Sequence, residues 1–160
     1  MILDALILQT KLLLQDDMEI TVNSVQSERG LINKLNMKNY TSMIGTGGKL
    51  SLLVIISFDN TMINKLVDVF MEGVEMDPNE ELEIKDSVAG EMINTLMGLA
   101  LPTFPGRGKG VTITPPITIN DASTISKHKN STIATAEITT NFGQFSISII
   151  DSKNLNSQEK

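Results

Sequence analysis

Pro78 and Pro102 bracket the longest regular stretch in the chain, and that stretch constrains everything around it. Asp77 offers a side-chain acceptor at the N-cap, Pro78 suits the first helical position, and Glu80 stands where a capping box places its acid. Between the prolines, apolar residues recur at three- and four-residue intervals, which predicts a helix over 78–101, about 35 Å long. Leu82, Val88, Ala89, Met92, Ile93, Leu96, Leu99 and Ala100 gather on one side of its wheel. A helix striped over that length must lay the stripe on a broad apolar surface.

The segments on either side supply that surface. Residues 19–27 are β-branched and read as a strand. Strands are also expected at 40–46 and 49–58, turning at Gly47-Gly48. The second of these, Leu50 to Phe58, is nearly all apolar and should lie at the centre of a sheet. Three more strands are expected at 110–119, 131–140 and 143–150, the last two joined through Asn141, Phe142 and Gly143. Two further helices precede the long one. The first spans residues 2–15, with Leu3, Leu6, Ile7, Leu13 and Leu14 on one face. The second is capped by Asp59, striped by Met62, Ile63, Leu66, Val67 and Phe70, and ends at Gly73. Residues 28–39 and 102–110 read as loops. The order αβββααβββ segregates strands and helices into runs, which argues for an α+β fold with a six-stranded, largely antiparallel sheet. A chain of 160 residues suffices for one such domain, taken as 1–151, with a polar, disordered tail at 152–160.

Composition removes several function classes. The net charge is −6 and the pI near 4.7, which disfavours nucleic acid and anionic membrane as partners. There is no Cys, so disulfides, thiolate catalysis and Cys-ligated metal are excluded. No apolar run approaches the roughly 20 residues of a membrane helix. The N-terminus lacks the basic flank and cleavage site of a secretion signal. A cytoplasmic location is therefore expected.

Several suggestive segments fail on inspection. Gly45-Thr46-Gly47-Gly48-Lys49 resembles part of a phosphate-binding loop, but Met43 stands where that pattern needs Gly, Leu50 where it needs Ser or Thr, and a strand follows instead of a helix. Gly106-Arg107-Gly108-Lys109-Gly110 also leads into a strand and offers no helix N-terminus to an anion. His128 is the only histidine and lies between two lysines in a polar loop. The acids Glu72, Glu75, Asp77, Glu80, Glu81 and Glu83 occupy a turn and a helix start, where carboxylates favour the dipole and face water. A hydrolase that uses them to hold metal is the weaker alternative.

The polar side of the long helix carries the chemistry. Glu80, Glu83, Ser87, Glu91, Asn94 and Gly98 fall within a band of roughly 80° opposite the apolar stripe. Glu91 and Asn94 are neighbours on this ridge, with Ser87 one turn before and Gly98 one turn after. Gly90 and Gly98 each cost about 1 kcal/mol relative to Ala inside a helix. At Gly98, a missing side chain on the exposed ridge lets another protein's backbone approach.

The pattern Ser87-x3-Glu91-x2-Asn94-x3-Gly98, followed by Ile113-Thr114-Pro115-Pro116, resembles the CheX-type chemotaxis phosphatases of the CheC/CheX/FliY family. The likeness extends upstream through Ile44-Gly45-Thr46-Gly47-Gly48, the apolar strand to Ser57-Phe58, and Phe70-Met71-Glu72-Gly73, and covers about residues 40–120. One Glu-x-x-Asn helix is present, which resembles CheX more than the two-site CheC arrangement. The resemblance implies a CheC-like fold, a homodimer joined through sheet edges, and a substrate: the phosphorylated receiver domain of a CheY-like response regulator in two-component signalling. It implies that Asn94 positions the attacking water and that Glu91 anchors the receiver's active-site Lys, with Ser87, Gly98, Pro115 and Pro116 meeting the partner. This chain would bind no cofactor of its own, Mg²⁺ being supplied by the receiver. The alternative within the same fold is a non-catalytic scaffold that binds a receiver or signalling partner without hydrolysis.

Overall fold

The computed structural model describes residues 2–30, 32–120, 124–126 and 131–151; His128 and the expected tail at 152–160 lie outside the described residues. Helix α1 (Ile2–Leu12) continues as a π-helical turn to Asp17. Strands β1 (Val22–Gly30), β2 (Lys34–Asn36), β3 (Tyr40–Gly48) and β4 (Leu52–Phe58) follow. Helices α2 (Asn60–Phe70) and α3 (Glu81–Ala100) come next. The chain closes with β5 (Val111–Ile113), β6 (Ile117–Asn120), β7 (Thr124–Ser126), β8 (Thr132–Thr140) and β9 (Gln144–Asp151).

The main sheet runs β1-β8-β9-β4-β3-β5, with β6 also on β3, and its pairings are all antiparallel. Segment 110–119, expected as one strand, is broken at Thr114-Pro115-Pro116. Its halves β5 and β6 lie along the same edge of β3, so the sheet has six positions, the last filled by a split strand. Proline has no N–H to donate and is tolerated at such an edge. The ladder skips the pair, although the Thr114 N–H donates to the Gly45 carbonyl and the Thr114 Oγ1 accepts from the Gly45 N–H on the way.

β4 is central, as its apolar run predicts, and five of its seven residues in a row are buried (Val54–Phe58). One sheet face carries Ile44, Val54, Ile56, Phe58, Ala136, Ile138, Phe145, Ile147 and Ile149, all in one core with the apolar faces of the three helices. The opposite face carries a smaller cluster of Leu35, Ile55 and Ile133. Leu35 comes from β2, which pairs with β7 as a two-stranded sheet. Residues 28–39, expected as loop, thus contain the end of β1 and all of β2.

Gly47 and Gly48 do not form the expected turn. They remain in β3 opposite Thr112 and Val111, and the chain reverses over Lys49–Ser51. Gly48 has φ +78°, and a Cβ there would stand 2.1 Å from the Gly110 carbonyl oxygen. The glycines serve a close passage of β5 over β3. Asp59 caps α2 as expected: Oδ1 accepts from the Met62 N–H at 2.8 Å, and Oδ2 accepts from the Gln144 N–H at 2.9 Å. One carboxylate thereby fixes α2 to the β8–β9 hairpin.

Candidate active site

α3 begins after a 3₁₀ turn over Pro78–Glu80, in which Asp77 Oδ1 accepts from the Asn79 N–H at 2.9 Å. The helix buries Val88, Ala89, Gly90, Met92, Ile93, Leu96, Met97 and Ala100. Leu82 and Leu99, expected on that face, are 54% and 44% exposed. Leu82 sits in the first turn, ahead of the buried residues. Leu99 lies at the margin of the buried arc, and Met97 takes a place inside it.

The ridge stands clear of the core. Glu80, Glu83, Ser87, Glu91, Asn94 and Gly98 are all exposed. The side chains of Glu91 and Asn94, one helical turn apart, make no hydrogen bond or ion pair among the described residues. Met92 and Ile93, between them, are fully buried and fix the orientation of the helix under the pair. A Cβ on Gly98 would meet nothing within 4 Å, so no neighbour in the fold requires Gly there.

The edge strand flanks one side of the ridge. A Cβ at Gly90 would stand 3.6 Å from Pro116 Cγ and 3.7 Å from Thr118 Oγ1, so the helix passes directly over Pro116. Gly90 is the residue before Glu91 and one turn before Asn94. The structure therefore brings Pro116 beside the Glu91–Asn94 turn, with Pro115 exposed next to it. Two contacts unforeseen in the sequence fix the register: Asp86 Oδ2 accepts from Asn120 Nδ2 at 3.1 Å, and the Asp86 carbonyl accepts from Thr118 Oγ1 at 3.4 Å. These partners lie more than thirty residues apart in the chain, and no local pattern announces them.

On the other side runs a groove of about 340 Å³ between the end of α2 and the start of α3. Phe70, Met71, Ile84 and Val88 line it together with Ser87 and Glu91. Nearby, Lys85 Nζ lies 2.8 Å from Glu81 Oε1 and 5.6 Å from the centre of the Tyr40 ring. The hydrogen bond to Glu81 raises the Lys85 pKa above its ordinary value. Among the described residues no three His, Cys, Asp or Glu side chains converge as a metal site would require, the acids of 72–83 included. No described helix is long and apolar enough to cross a membrane.

An exposed carboxylate beside an exposed carboxamide, on a rigid helix, can hold a cation with one group and orient a water with the other. Comparison with known proteins gives the chain a family. The model of the family described as chemotaxis phosphatase CheX matches residues 40–139. No curated protein sequence matches the chain. Among solved structures, a chemotaxis protein CheX from Desulfovibrio desulfuricans aligns with TM-score 0.78 at 18% identity, over 92% of this chain and 97% of that one. A chemotaxis protein from Desulfovibrio vulgaris Hildenborough gives 0.78 at 20% identity, over 94% and 96%. A CheX–CheY–BeF3–Mg²⁺ complex from Borrelia burgdorferi gives 0.65 at 18% identity, over 94% and 97%. At these identities the structures speak for the fold; the matched family model adds lineage. The chain belongs to the chemotaxis phosphatase CheX family.

Proposed function

We propose that this protein hydrolyses the aspartyl-phosphate of a CheY-like receiver domain in the cytoplasm, with Asn94 positioning the attacking water and Glu91 anchoring the receiver's active-site Lys. The observation that carries the reading is the exposed Glu91–Asn94 pair, without hydrogen bond or ion pair among the described residues, on a helix whose opposite face is buried from Val88 to Ala100 save for Leu99 at its margin. Membership of the CheX family supports it, and so does the CheX–CheY complex among proteins of the same fold.

In this mechanism the water oxygen forms a bond to phosphorus in line with the acyl oxygen. The P–O bond to the aspartyl group breaks, leaving a free receiver carboxylate. Both protons of the water leave with the inorganic phosphate, as dihydrogen phosphate. An acyl phosphate is already activated, so the helper's contribution is position and electrostatics. The Asn94 carboxamide both donates and accepts, so it can grip the water and aim a lone pair. Being neutral, it does not repel the phosphoryl oxygens. Glu91 sets the register of docking through a charge-assisted bond. Mg²⁺ stays with the receiver. Ser87, Gly98, Pro115 and Pro116 are assigned to the contact surface around the pair.

The direct test charges receiver domains with acetyl phosphate and follows their decay with and without this protein. Failure to accelerate decay of any receiver from the same cell discards the activity; binding without acceleration identifies a scaffold. Glu91→Ala should raise KM and lower kcat/KM by about 10- to 100-fold, the loss of one bond to a charged group. At Gly98 stability and function should part. Gly98→Ala should stabilise the fold by up to about 1 kcal/mol, since it replaces Gly in an open helix position. Gly98→Leu should keep the melting temperature and weaken receiver binding; undiminished binding by that variant removes Gly98 from the contact surface.

A homodimer is part of the same proposal. β1 pairs only with β8, and β6 only with β3, so each leaves a free edge among the described strands. A second copy pairing along such an edge would satisfy its backbone groups. Sedimentation showing only monomer at micromolar concentration contradicts the dimer.

A further inference from the structure

The groove beside the ridge combines an apolar floor with an acidic rim. Val88 is buried in it, and Phe70, Met71 and Ile84 are half-buried; Glu80, Glu83 and Glu91 stand exposed around them. Glu80, Ile84, Ser87 and Glu91 recur at three- and four-residue intervals, so the groove follows one helical stripe and runs into the Glu91–Asn94 turn. Glu81 is engaged by Lys85, whereas Glu80, Glu83 and Glu91 form no ion pair among the described residues. From Phe70 to Glu91 the chain carries eight carboxylates (Glu72, Glu75, Asp77, Glu80, Glu81, Glu83, Asp86, Glu91) and one cation, Lys85. Of these, Glu80, Glu83 and Glu91 line the groove and Lys85 does not, and such a rim attracts cations and disfavours an acidic or purely apolar visitor.

We propose that this groove seats a second cationic side chain of the receiver, a Lys or Arg on its surface close to the phosphorylated aspartate and distinct from the lysine that Glu91 meets. The aliphatic stem lies on Phe70, Met71 and Ile84, and the charged head reaches between Glu80 and Glu83. Long basic side chains are built for this division between an apolar stem and a wet charge. Ser87 and Glu91 line the groove and also stand on the ridge, so a body seated on the ridge covers the groove. The inference rests on the receiver reading and adds a determinant of which receiver is chosen: one with a basic residue at this distance from its phosphorylation site is preferred over one without.

The test uses the full chain carrying Glu80→Gln together with Glu83→Gln, both at exposed positions. Receivers are charged with acetyl phosphate for decay and with beryllofluoride and Mg²⁺ for binding titrations. The double variant should raise Kd and KM about tenfold at low ionic strength, with the loss falling on KM rather than kcat, and should flatten the salt dependence of binding. Glu83→Lys should weaken binding further, and reversing the matching receiver cation to Glu should restore part of it. An unchanged Kd in the double variant, with wild-type decay still accelerated, overturns the groove and leaves the Asn94 mechanism standing. Wild-type protein that binds receivers without accelerating decay overturns the mechanism and leaves the groove to be judged by Kd alone. Self-association of the free chain that the double variant abolishes would give the groove to a second copy and overturn the proposal.

Discussion

Asn94→Ala leaves the phosphorylated receiver to decay at close to its own rate. A positioned polar group of this kind contributes about 10²- to 10³-fold, or roughly 3–4 kcal/mol of barrier. Alanine keeps the helix and removes only the carboxamide assigned to hold the water. The side chain is exposed and makes no hydrogen bond among the described residues, so stability should shift by no more than about 0.5 kcal/mol. Receiver binding should persist, because Glu91 and the surface around it are intact. Asn94→Asp sharpens the test. It preserves shape, but it places a negative charge against the phosphoryl oxygens and removes the amide donor, so it too should fail to accelerate decay. Receiver decay under single-turnover conditions, paired with a binding titration, separates lost chemistry from lost docking. Undiminished decay with Asn94→Ala discards the assigned role.

The ridge was legible in the sequence because helical periodicity is a local property. Six polar or small residues at the right intervals suffice to define an exposed stripe, and all six are exposed. What flanks the ridge was less legible. The proline pair was visible, but its break of the edge strand depends on β3 offering one edge to both halves. The close approach of Pro116 to Gly90 and the Asp86–Asn120 contact are tertiary pairings without a local signature. β2 and β7 have three residues each and are strands only because they pair across some ninety residues of sequence. Gly47-Gly48 carried a strong turn signal that the passage of β5 overrode. Leu82 shows the opposite limit: the wheel gives its direction, but not that the first turn extends beyond the residues that would cover it.

The largest expected loss of stability lies at the sheet's centre, far in kind from the ridge. Phe58 ends the central strand β4, is fully buried, and meets Phe145 of β9 at 5.6 Å between ring centres with the planes tilted by 31°. The next residue, Asp59, caps α2, so the ring packs where the sheet hands the chain to the helix layer. Phe58→Ala removes the ring's buried area and leaves a cavity between sheet and helices. Such a change costs about 3–5 kcal/mol, a large part of the 5–15 kcal/mol that holds a domain together. In a chain of this size the melting temperature should fall by roughly 10–15 °C. Phe58→Leu, which keeps most of the volume, should cost much less. Because α3 is bound to the same core, receiver dephosphorylation by Phe58→Ala should be lost on warming, at the temperature where the fold is lost, and persist in the cold. A melting temperature within about 3 °C of the parent would show that the cavity collapses, and that the helix layer depends on this ring far less than its burial indicates.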